Sequence, residues 1–172
     1  MRPMPTRGAI SPGTSVRSTS VRSGSVRSAS VWLAVQLGRG ITEAPASRPQ
    51  LRRWIQAALQ RPATLTLRFV ASAEARALNS GFRGRDYVPD VLTFSYPDDQ
   101  GRLQADIVVC LPVVRRQARS AGIPFAWRLA HLIMHGALHA QGWDHETDSD
   151  ARAMESLEAR LLARFRIPDP YQ

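Results

Sequence analysis

The sequence predicts a single α/β domain, in which a small four-stranded mixed sheet packs with about five helices as an α/β sandwich. Short apolar runs of strand length alternate along the chain with segments whose apolar residues recur every three to four positions. The 125 residues from position 48 onward are enough for one hydrophobic core and too few for two. Nowhere does the chain approach the roughly 20 consecutive apolar residues of a membrane span. We therefore expect a soluble protein without a membrane partner. Cys110 is the only cysteine, so no disulfide can form within the chain, which fits the expected cytoplasmic location.

The first half of the domain is expected to alternate strands and helices. Residues 31–37 are an apolar run of strand length, and residues 49–60 place their apolar side chains on one side of a helix. Residues 64–70 alternate in character, as a half-buried strand does. Residues 73–80 are predicted to form a short helix that stops at Gly81.

The second half is expected to begin with a hairpin and to end in three helices. Strands are predicted at 91–96 and 106–110, joined through a turn at 98–101 that contains Asp-Asp-Gln-Gly. The three helices are predicted from apolar periodicity and from the residues that start and stop helices. Their ranges are 112–121, which ends at Gly122, 125–141, and 148–165, which begins at Thr147 or Asp148.

The stretch 135–145 contains three histidines at a spacing that suits a metal site. His135 and His139 are four residues apart, so on a helix they share one face with Cβ atoms about 5–6 Å apart. Gly142 offers the left-handed backbone that ends a helix, which allows the chain to return His145 to the same point. Three nitrogen ligands leave a fourth tetrahedral position for water, as in catalytic zinc sites. We predict one Zn²⁺ per chain.

His131 continues the same stripe of the helix but is expected to lie outside the ligand set. His131 and His139 are two turns apart, about 12 Å of helix rise, whereas zinc–nitrogen bonds are about 2.0–2.1 Å long. One ion cannot bind both. The pair His135 and His139 is preferred because a turn follows it, so His131 is predicted to support the site from behind or to belong to the core.

The same histidine spacing occurs in the metzincin proteases, which makes a zinc peptidase an alternative. Those enzymes carry a glutamate directly after the first histidine, where it serves as the general base. This chain has Gly136 at that position. A peptidase of metzincin-like descent would therefore lack the group that activates its water.

Four ordered segments of the chain together resemble one family. The histidine motif HGALHAQGWDH meets the pattern H-G-x-L-H-L-x-G-Y-D-H, and the other segments are LNSGFRGRD at 78–86, DVLTF at 90–94 and DIVVC at 106–110, with a matching ending DPY at 169–171. Over about residues 31–171, the chain resembles the YbeY family of bacterial zinc-dependent endoribonucleases, which mature ribosomal RNA.

The resemblance implies a single-strand-specific zinc endoribonuclease that acts in ribosomal RNA maturation, at the 3′ end of the small-subunit RNA, and in ribosome quality control. It implies ribosomal RNA as substrate, ribosomal proteins and assembly GTPases as partners, and no role for DNA. A non-catalytic ribosome-assembly factor, whose zinc only holds the last two helices together, is the alternative. The loop 84–90 departs from the family pattern at Tyr87, Val88 and Pro89, which bears on substrate preference more than on activity.

Arg83 is the candidate catalytic residue. The resemblance makes it the family's motif arginine beside the zinc cleft, where a guanidinium would hold the scissile phosphate and stabilise charge on its oxygens. An ordinary surface arginine in a Gly-rich loop is the alternative. No general base is evident, because Asp86, Asp106 and Asp144 are each compatible with a structural role.

The formal charge of +9 is distributed unevenly along the chain. Residues 1–47 contribute +5 of it, from six arginines and Glu43. Between residues 48 and 128 there are thirteen arginines and six acidic residues, whereas from Asp144 onward there are seven acidic residues and four arginines. A basic face beside the metal would attract phosphates. A solvated surface without a partner is the alternative.

Residues 1–30 are predicted to be a disordered tail, separate from the domain at 31–172. Val-Arg-Ser recurs at 16–18, 21–23 and 26–28, in a repeat of Ser, Arg and small residues that cannot bury a core. The tail is interpretable as a basic RNA-contacting arm, as an organellar transit peptide, or as upstream sequence included by a misassigned start codon. The last interpretation is favoured, because the family's domain normally begins near its first strand.

Overall fold

The computed structural model describes residues 29–97 and 101–172. Within them lie four strands and five helices, and their bounds in chain order are β1 Val31–Leu37, α1 Arg48–Ala58, β2 Ala63–Val70, α2 Ser72–Arg83, β3 Val91–Tyr96, β4 Leu103–Cys110, α3 Leu111–Ser120, α4 Phe125–Ala140 and α5 Asp148–Ala163. The predicted fold, an α/β domain with a four-stranded mixed sheet and five helices, is confirmed. The predicted tail, apart from its last two residues, lies outside the described residues.

The four strands form one mixed sheet in the order β1-β2-β4-β3. Strands β1, β2 and β4 are parallel, with Leu33 opposite Leu65 and Leu65 opposite Ala105. Strand β3 runs antiparallel to β4, with Phe94 opposite Asp106, as the predicted hairpin requires. The turn predicted at 98–101 falls almost entirely outside the described residues.

The two faces of the sheet carry cores of different size. Alternate residues of each strand point to opposite faces, so the two faces have separate sets of apolar side chains. The larger core joins one face to α1, α4 and α5, through buried residues that include Leu65, Leu67, Ile107, Leu51, Ile133, Met134 and Met154. The smaller core joins the other face to α2 and the start of α3, through Val70, Ala75, Leu92, Val108, Cys110 and Val113.

Helix α2 is longer than predicted, which places Arg83 differently. The apolar pattern predicts that this helix stops at Gly81, but α2 continues to Arg83 and is closed by Gly84, whose φ of 64° is left-handed. The Gly84 N–H bonds to the carbonyl of Ser80 at 3.1 Å. A glycine inside a helix costs only about 1 kcal/mol relative to alanine, so Gly81 does not end the helix. Arg83 is therefore the last residue of a helix rather than part of a loop.

Helix ends elsewhere differ from prediction by one or two residues. Helix α1 begins after Ser47, whose side chain accepts from the N–H of Gln50, and it ends at Ala58 because Leu59 is extended. Helix α5 begins after Thr147, whose side chain accepts from the N–H of Asp150 at 3.2 Å. Among the described residues, none of the helices combines the length and apolar character needed to cross a bilayer.

Candidate metal centre

Helix α4 carries two of the three predicted ligands on the face turned away from the core. The opposite side of α4 is fully buried through Leu129, Ile133 and Ala137. His135 and His139 are only partly buried, and their ring centroids are 4.4 Å apart. The Nε2 atoms of the two rings lie 3.0 Å from one another. The four-residue spacing therefore brings both nitrogens to one point, as the sequence predicted.

A tight turn after α4 returns His145 to the same point. Gly142 has a φ of 87°, and the N–H of Trp143 bonds to the carbonyl of Leu138 at 3.2 Å. The ring centroid of His145 lies 5.0 Å from that of His139. One nitrogen of each of the three histidines lies within 4.8 Å of the other two. Nitrogens around a tetrahedral zinc are about 3.4 Å apart, given its bond lengths, so the three rings have nearly the spacing that one ion requires.

A buried carboxylate that the sequence analysis did not single out lies behind His135. Glu158 of α5 is 1% exposed, and its Oε1 lies 2.7 Å from Nδ1 of His135. Its Oε2 accepts a hydrogen bond from the hydroxyl of Tyr171. Burial by itself raises the pKa of Glu158, but hydrogen bonds from His131, His135 and Tyr171 outweigh it and lower the pKa to about 2. Glu158 is therefore a carboxylate, and it faces donors on both oxygens.

His131 belongs to the surroundings of Glu158 rather than to the three-histidine group. Its Nδ1 lies 3.2 Å from Nη1 of Arg128, and its Nε2 lies 3.2 Å from the hydroxyl oxygen of Tyr171. His131 as a whole residue is 7% exposed. Because an arginine only donates, Nδ1 of His131 accepts and its Nε2 carries the proton.

Sequence reasoning missed Glu158 and the role of Tyr171, although a signal for the first was present. Glu158 follows Met154 by four residues and precedes Leu161 by three, so it interrupts the apolar stripe of α5. A carboxylate on the buried stripe of a helix needs a partner in the core. The ending DPY was noted as a likeness, but nothing in it indicates where Tyr171 would reach.

The three histidines open into a broad cleft that is also lined by three arginines and by the acidic residues Asp90, Asp144 and Glu146. The cleft has a volume of about 940 Å³, and Arg83, Arg85 and Arg116 line it together with His135, His139 and His145. Arg83 reaches it from the end of α2, and Arg116 reaches it from α3. The structure thus brings the predicted arginine and the three predicted ligands to one cleft. It adds Arg85 and Arg116, which the sequence analysis had not selected.

The loop that departs from the family pattern is held firmly at the edge of this cleft. Asp86 accepts two hydrogen bonds from Arg76, at 2.6 and 2.7 Å. The buried side chain of Asn79 donates to the carbonyl of Tyr87 at 3.1 Å. Asp90, where the loop meets β3, accepts from Gln117 at 2.9 Å. Loop 84–90 therefore has several side-chain anchors in the domain that do not depend on the substituted residues Val88 and Pro89.

The three aspartates considered as bases lie in different places. Asp86 is paired with Arg76, and the Arg76 guanidinium lowers its pKa. Asp106 accepts from the hydroxyl of Tyr96 at 2.8 Å and lines a different hollow, on the smaller-core face of the sheet. Asp144 alone of the three lines the cleft, where its Oδ1 accepts from the N–H of His145 at 2.8 Å. The geometry removes Asp86 and Asp106 from the reacting centre.

Gly136 packs closely against the sheet. A Cβ built on Gly136 would lie 2.8 Å from Cγ2 of Ile107 and 3.2 Å from Oγ1 of Thr93. A glutamate at this position, as metzincins have, would place its Cβ in collision with Ile107 of β4. The close packing of α4 at position 136 therefore disfavours the zinc-peptidase alternative, in addition to the absence of a glutamate at that position.

Comparison with known proteins decides the family. The family model described as Endoribonuclease YbeY matches residues 42–166. The chain belongs to the YbeY family. Curated YbeY relatives named Endoribonuclease YbeY include one from Thiobacillus denitrificans, 49% identical over 81% of this chain and 95% of its own length. Another, from Herminiimonas arsenicoxydans, is 45% identical over 81% of this chain and 94% of its own.

A solved structure agrees with the YbeY fold of this chain. The solution structure of a Thermotoga maritima protein superposes with a TM-score of 0.53 and 25% sequence identity. The match covers 78% of this chain and 92% of the Thermotoga chain. The overlap supports the arrangement of one mixed sheet with helices on both faces.

Proposed function

We propose that this YbeY-family chain is a metal-dependent endoribonuclease that cleaves single-stranded ribosomal RNA during ribosome maturation. The observation that carries the proposal is the shared cleft, which three histidines and three arginines line together. The relatives' printed name, Endoribonuclease YbeY, supports the reaction class. Small-subunit RNA 3′-end processing, ribosome quality control and a cytoplasmic location are the finer parts of the proposal and rest on the family resemblance.

We infer that His135, His139 and His145 bind one Zn²⁺. Three imidazole nitrogens with a carboxylate behind one of them are a donor set that suits zinc. When bound, zinc supplies Lewis-acid chemistry, because it makes water a better nucleophile near neutral pH and polarises a phosphoryl oxygen. The three histidines line only part of the cleft, so a metal ion bound to them would remain accessible from the rest of it.

The arginines are proposed to hold the RNA backbone, with Arg83 at the scissile phosphate. A planar guanidinium binds two phosphate oxygens at once, and several arginines in one concave site raise the local concentration of an anionic substrate. Arg83 ends α2, so its backbone is fixed by the helix and by the Gly84 cap. A guanidinium carried by this helix end is suited to stabilise the charge that develops on the phosphate.

The domain boundary and the partners are also part of the proposal. The domain is proposed to correspond to residues 31–172, with Ala29 and Ser30 adding contacts to it, and residues 1–28 are proposed not to contribute to its core. Ribosomal RNA is the proposed substrate, and ribosomal proteins and assembly GTPases are the proposed protein partners. Neither DNA nor a membrane has a place in this function.

Cleavage of a defined RNA tests the proposal. Zinc-loaded wild type should cleave a single-stranded RNA and leave the same sequence in a duplex intact, whereas His139→Ala should cleave neither. Folding of both proteins is checked by circular dichroism. Equal cleavage by wild type and His139→Ala would point to a contaminating nuclease. Zinc-bound wild type without any cleavage would instead favour an assembly factor, in which the metal only joins α4 to α5.

A further inference from the structure

A buried set of hydrogen bonds behind the metal centre converges on one carboxylate. Arg128 donates to Nδ1 of His131 at 3.2 Å, and Nε2 of His131 lies 3.2 Å from the hydroxyl oxygen of Tyr171. Tyr171 in turn donates to Oε2 of Glu158, and His135 lies against the other oxygen. We call these five residues the Glu158 network. Tyr171 and His135 contact Glu158 directly, whereas Arg128 and His131 are linked to it through Tyr171.

The direction of these hydrogen bonds determines the proton positions on His135. A carboxylate only accepts, so Nδ1 of His135, at 2.7 Å from Oε1 of Glu158, must carry the proton. The Nε2 atom of His135 then has a free lone pair. That atom faces the cleft, 3.0 Å from Nε2 of His139. The buried carboxylate therefore selects the tautomer and the ring orientation that a metal ligand needs.

Tyr171 holds the carboxylate from the C-terminal segment. The residue as a whole is 44% exposed, yet its hydroxyl reaches inward to a carboxylate that is 1% exposed. The segment is fixed locally, because the N–H of Tyr171 donates to Oδ1 of Asp169 at 2.9 Å. The ring packs edge-to-face against His131, with centroids 5.7 Å apart, and the hydroxyl contributes the contact with the carboxylate.

We propose that Glu158 and Tyr171 are a positioning pair for His135: Glu158 holds the imidazole with Nε2 toward the metal, and Tyr171 holds Glu158. Neither residue touches the metal or the substrate. The proposal rests on the metal site of the proposed function. It implies that Tyr171, in the C-terminal segment, contributes to metal affinity.

The same atoms do not form a second metal site of their own. His131, His135 and Glu158 are close enough together to suggest one. However, the 2.7 Å between Nδ1 of His135 and Oε1 of Glu158 is a hydrogen-bond distance, and Tyr171 occupies Oε2. An ion would have to displace both donors. The expected stoichiometry is therefore one metal ion per chain.

Zinc affinity, measured by chelator competition on the full chain, tests the pair. Glu158→Gln keeps the shape and one acceptor but removes the charge, and it should bind zinc about 10- to 100-fold more weakly, as loss of an outer partner does. Tyr171→Phe should weaken binding in the same direction by less. Tyr96→Phe is the matched control, since Tyr96 also donates to a carboxylate, Asp106, but away from the cleft. Glu74→Gln, which removes a carboxylate paired with Arg68, is the matched charge control.

Cobalt substitution separates positioning from simple support of the fold. The visible absorption bands of Co²⁺ report the ligand geometry, so they should change in Glu158→Gln and stay unchanged in both controls. Wild-type zinc affinity and an unchanged cobalt spectrum in a folded Glu158→Gln protein would overturn the proposal, even if its metal-free form melts earlier. Wild-type affinity in Tyr171→Phe would overturn the part assigned to Tyr171, and this variant is the decisive one if Glu158→Gln does not fold. Failure of the wild type to bind zinc would instead contradict the proposed function.

Discussion

Gly136 of α4 lies so close to Ile107 of β4 that a Cβ on the glycine would be 2.8 Å from Cγ2 of the isoleucine. The carbonyl of Gly136 also accepts from the hydroxyl of Thr93 at 3.3 Å. The missing side chain thus lets α4 lie against the sheet, with His135 and His139 on its outer side. Gly136, which directly follows His135, therefore serves to pack α4 against the sheet.

Gly136→Ala should destabilise the protein, although alanine is the better helix former. Overpacking costs about 1–3 kcal/mol and exceeds the roughly 1 kcal/mol gained in helix propensity, so urea unfolding should show a net loss. Gly81→Ala is the matched control, because Gly81 is also inside a helix but its Cβ would meet open space. That variant should gain about 0.5–1 kcal/mol. An equal gain in both variants would mean that α4 does not pack as closely as described.

Metal content should depend on three histidines and not on the fourth. Single substitutions of His135, His139 and His145 by alanine should each lower the zinc content well below one per chain, measured by atomic absorption. His131→Ala should keep most of the metal, because this ring contacts Arg128 and Tyr171 rather than the three-histidine group. Full zinc in the His145→Ala protein would refute the ligand assignment.

Substitutions of Arg83 should affect RNA cleavage without affecting metal binding. Arg83→Glu should keep the fold and the zinc but lose about a hundredfold or more in RNA cleavage, the scale of one charge-stabilising donor. Arg83→Lys should also be slow, because an ammonium cannot make the bidentate contact. The effect should fall on the rate more than on RNA binding. The control is Arg52→Glu, because Arg52 is an exposed arginine of α1 outside the cleft. A wild-type cleavage rate in Arg83→Glu would contradict the catalytic role of Arg83.

The thiol of Cys110 should be almost unreactive in the folded protein. Cys110 is 1% exposed, and its burial raises the pKa of the thiol, which lowers the fraction of reactive thiolate at any given pH. A thiol reagent at mildly alkaline pH should therefore modify the native chain slowly and the unfolded chain rapidly, at one site per chain. Rapid modification of the native protein would show that the smaller core opens easily.

The domain boundary can be tested by truncation. Ala29 packs against the larger core, and the carbonyl of Ser30 accepts from the N–H of Ala63 at 2.9 Å. A chain that starts at Ala29 should therefore melt at the same temperature as the full chain. A chain that starts at Val31 should melt lower, since it loses both contacts. If removal of residues 1–28 lowers the melting temperature, the boundary is wrong.

The sequence was sufficient wherever the relevant geometry is local. The spacing of His135 and His139 fixes their separation on any helix, and Gly142 allows the turn that follows, so the three-histidine group was predictable. Alternation and apolar periodicity likewise predicted the four strands and five helices. The end of α2 was predicted wrongly, because whether a glycine ends a helix depends on the backbone after it, and Gly84 rather than Gly81 provides the left-handed cap.

Tertiary packing decided what lies around the histidines. Glu158 is 23 residues from His135 in the chain, and they meet only because α5 packs against α4. The hydroxyl of Tyr171 reaches the same carboxylate from beyond the end of α5, and Arg116 joins Arg83 in the cleft because α2 and α3 cover the same face of the sheet. The periodicity of a segment predicts which face of a helix or strand is buried. It does not predict which side chains from distant parts of the chain contact that face. The sequence by itself therefore determined the three-histidine group, and only the tertiary structure decided which side chains support it.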